Sequence, residues 1–117
     1  MDETDELTKH GSVLGTPNYI SPEQALGNPV DHRSDLYSAG VIFYETLTGR
    51  KPFKAETAPA LVYQHVHADI PQLPSVVHNY QPILEMLLAK NPNDRFSSAE
   101  EFIEGLTALY RASSTNV

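Results

Sequence analysis

The stretch Asp35–Thr48, reading DLYSAGVIFYETLT, constrains the fold more than any other part of the chain. Ser34 is a suitable helix N-cap, and Gly49 followed by Pro52 is a suitable stop. Between them Leu36, Tyr37, Ala39, Val41, Ile42, Phe43, Tyr44 and Leu47 do not keep to one stripe but surround most of the cylinder. A helix apolar nearly all round has to be enclosed by other elements. The structure is therefore expected to be built around this helix.

The rest of the chain supplies the elements to enclose it. Pro22 to Leu26 suits one short helical turn, with Pro at its first position and Gly27 to end it. Thr57 to His67 carries Leu61, Val62 and Val66 behind a Thr cap. Tyr80 to Lys90 places Ile83, Leu84, Leu87 and Leu88 on one face. A last helix, from about Ser98 to Arg111, opens with Ser97-x-x-Glu100, the pattern of a capping box. It continues with Ala99, Phe102, Ile103, Leu106, Leu109 and Tyr110 at helical spacing. Pro-containing loops fall at 69–74 and 91–94, and no segment alternates as a strand would. The fold expected is mainly α, organised around one central apolar helix.

Composition narrows the partners. With 117 residues and 40% hydrophobic content the chain suits one compact domain. Its net charge of −7, with Asp2, Glu3, Asp5 and Glu6 crowded at the start, argues against nucleic acid and against an anionic membrane surface. Cysteine is absent, which removes disulfides and thiolate metal sites. No run approaches the roughly 18 apolar residues of a membrane span, and the acidic start is unlike a signal peptide. A cytoplasmic location is expected. His65 and His67 invite a metal reading, with His10, His32 and His78 elsewhere. Residues two apart do not share a helix face, so solvated or hydrogen-bonded histidines are expected and no metal.

Four motifs carry a resemblance. Gly15-Thr16-x-x-Tyr19-x-Ser21-Pro22-Glu23 resembles the end of a protein-kinase activation segment, where that family carries A-P-E. Asp35-Leu36-Tyr37-Ser38-Ala39-Gly40 is similar to the D-x-W/Y-S-x-G start of the family's central helix. Leu47-Thr48-Gly49-Arg50-Lys51-Pro52-Phe53 resembles its L-x-G-x-x-P-F stop, and Asn91-Pro92-Asn93-Asp94-Arg95-Phe96 its terminal P-x-x-R-x segment. Order and separation match over almost the whole chain. The wording is most similar to bacterial, eukaryotic-like (Hanks-type) Ser/Thr kinases.

The resemblance implies roles for particular residues. Glu23 and Arg95 would form a buried ion pair that staples the activation segment to the helical lobe, where the residues alone would more readily read as two unrelated surface charges. Asp35 would accept backbone N–H bonds from a catalytic loop; by itself it is a carboxylate favoured at a helix N-terminus. Thr16 would line the active site. Val13, Leu14, Pro17 and Ile20 would line the pocket for the substrate residue after the phosphoacceptor. Thr8 and Ser12, and then Thr4, occupy the position of activation-loop phosphosites. The implied layout is a flexible part of the activation segment over 1–14, a partial kinase C-terminal lobe over 15–112 and a tail over 113–117.

Much of a kinase's machinery has no counterpart in this sequence. There is no G-x-G-x-x-G, V-A-I-K, H-R-D-x-x-x-x-N or D-F-G; the nearest letters, His32-Arg33-Ser34-Asp35, belong to the helix start. The expected identity is a fragment of a Ser/Thr protein kinase, carrying the substrate-docking loop but not the ATP site or catalytic base. ATP and Mg2+ are expected for the complete parent domain and no cofactor for this chain. The alternatives are a non-catalytic kinase-like binding module and the remnant of a truncated gene. Expected partners are a protein substrate or the missing kinase half, with self-association through apolar surface left uncovered.

Overall fold

The computed structural model describes residues 17–115. In chain order these form α1 (Pro22–Leu26), α2 (His32–Thr48), α3 (Ala58–His67), α4 (Gln81–Leu88) and α5 (Ala99–Thr115), with 3-10 turns at Ser75–Tyr80 and Pro92–Asp94. There is no strand among the described residues. The mainly α fold expected from the sequence is the fold observed.

Local chemistry sets most of the helix ends. Ser21 and Gln24 cap α1 reciprocally: the Ser21 hydroxyl accepts from the Gln24 N–H at 3.2 Å, and the Gln24 side chain accepts from the Ser21 N–H at 2.9 Å. Gly27 and Gly49 close α1 and α2 at φ of 74° and 73°, a left-handed conformation that disfavours other residues. Several boundaries differ from expectation. α2 begins at His32, because the Asp31 carboxylate accepts the Arg33 N–H at 2.9 Å. Ser34, expected as the cap, is instead a buried residue inside the helix. The box of α5 lies one residue later than read, with the Ser98 hydroxyl accepting from the Glu101 N–H at 3.1 Å and Glu101 reaching back to the Ser97 N–H at 2.8 Å. α4 starts at Gln81 because the residues before it wind as a 3-10 turn. The Gln81 amide anchors that junction, accepting from the Leu73 N–H at 2.8 Å and donating to the Pro71 carbonyl at 3.1 Å.

The core lies where α4 crosses α2. Leu84, Leu87 and Leu88 of α4 and Tyr37 and Val41 of α2 have no exposed surface. One cluster joins Tyr37, Val41 and Tyr44 to Phe53, Leu61, Leu73, Leu84 and Leu88; a second joins Leu36 to Ile83, Leu87 and Phe96. The all-round enclosure expected for α2 is incomplete, since Ile42 is 53% exposed. The described elements pack on part of its circumference only.

Gly40 makes the crossing possible. A Cβ placed on it would lie 2.7 Å from Leu87 Cβ and 2.9 Å from Leu88 Cδ2. Leu87 Cβ is tied to its own backbone and cannot swing aside. Ala in place of a mid-helix Gly gains about 1 kcal/mol of propensity, whereas overpacking costs about 1–3 kcal/mol. Gly40→Ala is therefore expected to lower the urea midpoint of unfolding. A raised midpoint would mean that the helices separate without loss.

Candidate functional site

The loop Pro17–Ile20 lies against α2 through contacts spread along that helix. The Ser38 hydroxyl donates to the Tyr19 carbonyl at 2.7 Å, and the Tyr19 hydroxyl donates to Glu45 at 3.1 Å. Seven residues separate Ser38 from Glu45, which is two helical turns and hence one face. Lys51 pairs with the same Glu45 carboxylate and stands 5.5 Å from the centre of the Tyr19 ring. The loop is thus held by both its backbone and its one aromatic side chain.

Behind the loop, Glu23 of α1 meets Arg95 at the end of the Pro92–Asp94 turn. Both residues are buried. Arg95 Nη1 and Nη2 donate to the two oxygens of the Glu23 carboxylate at 2.7 and 2.8 Å. The remaining donors are also used: Nε to the Ala89 carbonyl at 2.8 Å, Nη1 to the Arg33 carbonyl at 2.9 Å and Nη2 to the Lys90 carbonyl at 3.3 Å. All five guanidinium N–H groups therefore have an acceptor. Ser34 donates to Glu23 at 2.6 Å, which explains a hydroxyl inside an apolar helix. Burial opposes ionisation of Glu23, but hydrogen bonds from Arg95 and Ser34 outweigh it and hold the carboxyl at about 2.

The guanidinium also lies 5.0 Å from the centre of the Tyr37 ring. On its far end the Tyr37 hydroxyl is 2.9 Å from His65 Nδ1. His65 is buried, with the Phe53 ring edge-on at 5.0 Å and the Lys90 ammonium donating to its backbone carbonyl at 2.8 Å. Burial and then the charge of Lys90 push the imidazole down to about 4, against an opposing pull from the backbone of Asn18 and Pro17. Lys90 is itself pushed down to about 8 by burial.

The structure brings together some of the residues singled out in the sequence. Glu23 and Arg95 are joined, and Pro17 and Ile20 are half-buried in the loop. Asp35 is exposed in the first turn of α2, where the helix N-terminus favours its charge. Thr16, Val13, Leu14, Thr4, Thr8 and Ser12 lie outside the described residues. Among the described residues no three His, Asp or Glu side chains gather as a metal site would require. Sequence reasoning missed Ser34 as a partner of Glu23 and His65 as a buried residue. The i, i+4 spacing of Leu61 and His65 on α3 was the available signal.

Two outcomes follow for stability. Arg95→Ala strands a buried carboxylate and is expected to cost about 3–5 kcal/mol, read as a large fall in melting temperature; Arg95→Lys recovers little because it lacks the planar fork. An unchanged melting temperature in Arg95→Ala would refute the staple. Acid should act in two windows. Unfolded His65 takes up its proton near 6.5 and folded His65 only near 4, so stability present above the first value is lost as pH falls toward the second, by about 3 kcal/mol at most. The Glu23 contribution, present above 4.5, goes as pH falls through about 2. Urea midpoints between pH 7.5 and 4.5 should drop in the wild type and flatten in His65→Phe.

Comparison with known proteins agrees with these motifs. The family described as Protein kinase domain matches residues 2–105. The serine/threonine-protein kinase PksC of Streptomyces coelicolor is 50% identical over 95 residues, which are 77% of this chain and 17% of that protein. A probable serine/threonine-protein kinase of Corynebacterium efficiens, CE0033, is 41% identical over 94% of this chain and 18% of its own length. The serine/threonine-protein kinase PknB of Mycobacterium tuberculosis is 40% identical over 93% of this chain and again 18% of its own length. The chain thus spans less than a fifth of each of these relatives. From the family match over most of its length, with the motifs in their expected order, the chain belongs to the protein kinase domain family.

Proposed function

We propose that this chain is the substrate-side helical part of a Ser/Thr protein kinase domain whose parent reaction transfers the γ-phosphate of ATP to a Ser or Thr hydroxyl of a protein. The observation that carries the reading is the buried bidentate pair between Glu23 and Arg95. It ties Ser21-Pro22-Glu23 to the terminal Pro-x-x-Arg segment and so presents the loop before α1 on a rigid support. In this reading Thr16 lines the active site, and Val13, Leu14, Pro17 and Ile20 receive the substrate residue after the phosphoacceptor. Thr8, Ser12 and Thr4 are the candidate phosphosites.

The sequence holds none of the motifs that grip ATP and Mg2+ or supply the catalytic base. Those groups belong to the complementary half of the domain, and α2 is where that half would dock. Ile42 is 53% exposed and Ile103 of α5 57% exposed. Two apolar grooves flank the Phe43–Phe102 contact, about 360 Å3 beside Leu47, Leu106 and Tyr110 and about 380 Å3 beside Leu36, Ala39 and Ile103. In the absence of the other half, the same surface favours self-association.

Calorimetric titration of the purified chain with Mg-ATP tests the reading. No saturable binding is expected up to millimolar nucleotide, and no phosphate transfer to a generic protein substrate. Micromolar binding would overturn the division of labour proposed here.

A further inference from the structure

We infer that His65 is a positioning residue for the substrate-side loop, its Nε2–H holding the Pro17–Asn18 backbone in place from beneath. The inference starts from what His65 touches. Its ring is 1% exposed and is wedged between Tyr37 and Phe53, with ring centres 5.7 and 5.0 Å away. Packing alone needs only a flat apolar ring, which Phe would supply. The imidazole brings two nitrogens into a place where each must be accounted for.

One nitrogen is settled by its neighbour. Tyr37 Oη lies 2.9 Å from Nδ1, so one of the two carries the shared proton. The other nitrogen decides which. Nε2 has no exposed surface and no partner at hydrogen-bonding geometry. Beside the ring lies the backbone of Pro17 and Asn18, and it favours a proton on the imidazole. Pro17 has no N–H, so its backbone can present only a carbonyl. A bare Nε2 lone pair facing carbonyl oxygen would be repelled, whereas Nε2–H is attracted. The Tyr37 hydroxyl then donates to Nδ1, and the tautomer is locked from both ends.

The loop has a counter-hold on its other side, where Ser38 takes the Tyr19 carbonyl and Glu45 the Tyr19 hydroxyl. Those contacts secure Tyr19, and His65 secures the two residues before it. Because α3 is fixed in turn by Lys90 donating to the His65 carbonyl, the post does not move with the loop. That the loop receives a substrate rests on the proposed function. That His65 sets its conformation does not.

The test uses the full chain and NMR. A long-range nitrogen–proton correlation at pH 7 should show neutral His65 protonated at Nε2. In His65→Phe, backbone order parameters at Asn18 and Tyr19 should fall from about 0.85 to below about 0.6, while those of Leu84 and Leu87 stay unchanged. His65→Gln, whose amide keeps an N–H donor, should restore part of the order. Where His65→Phe fails to fold, Tyr37→Phe decides: with the hydroxyl donor gone, the backbone carbonyl alone should keep His65 protonated at Nε2. An Nδ1–H tautomer in the wild type or in Tyr37→Phe, or an ordered loop in folded His65→Phe, would each overturn the inference. Nucleotide binding by the chain would overturn the proposed function and leave this result standing.

Discussion

The structure depends on the pair between Glu23 and Arg95, whose partners are 72 residues apart in the chain. A buried ion pair is a poor source of net stability, because desolvating two charges offsets most of their attraction. Its strength here comes from completeness. Every guanidinium N–H has an acceptor, and Glu23 takes a further hydrogen bond from Ser34. The three backbone carbonyls on Arg95 belong to Arg33, Ala89 and Lys90, so one side chain fixes α1, the start of α2 and the end of α4 relative to one another. No apolar replacement would specify that arrangement, since dispersion has no direction.

From this pair a line of contacts runs to the loop. Arg95 lies over the Tyr37 ring, the Tyr37 hydroxyl meets His65, and the His65 ring lies beside Pro17 and Asn18. Each step joins a different element, and every member is buried or half-buried. The loop before α1 thus lies against the same polar spine that ties the helices together. On the outer side its support is different in kind. The contacts of Tyr19 with Glu45 and Lys51 are more exposed, hence weaker and more sensitive to salt.

α2 serves both sides of this arrangement. One face accepts α4 at Gly40, and another carries Ser38 and Glu45 to the loop with the exposed Ile42 between them. The described elements leave part of this apolar helix uncovered, in a chain that spans less than a fifth of its relatives.

The sequence by itself determined the helices, the stops of α1 and α2, and the family. These rest on interactions within three or four residues, such as the Ser21–Gln24 box and the positive φ of Gly49, and on motifs whose order survives in the linear chain. Glu23 and Arg95 were legible as partners only through the motifs that contain them, because nothing local links two loops so far apart. Tertiary structure alone decided that Ser34 turns inward to a carboxylate. It also buried His65, which looks from its neighbours like a polar residue on a short helix. The reason is common to both. A hydroxyl or an imidazole has no fixed preference for core or surface, and the partner that tips it comes from 11 residues away for Ser34 and 28 for His65.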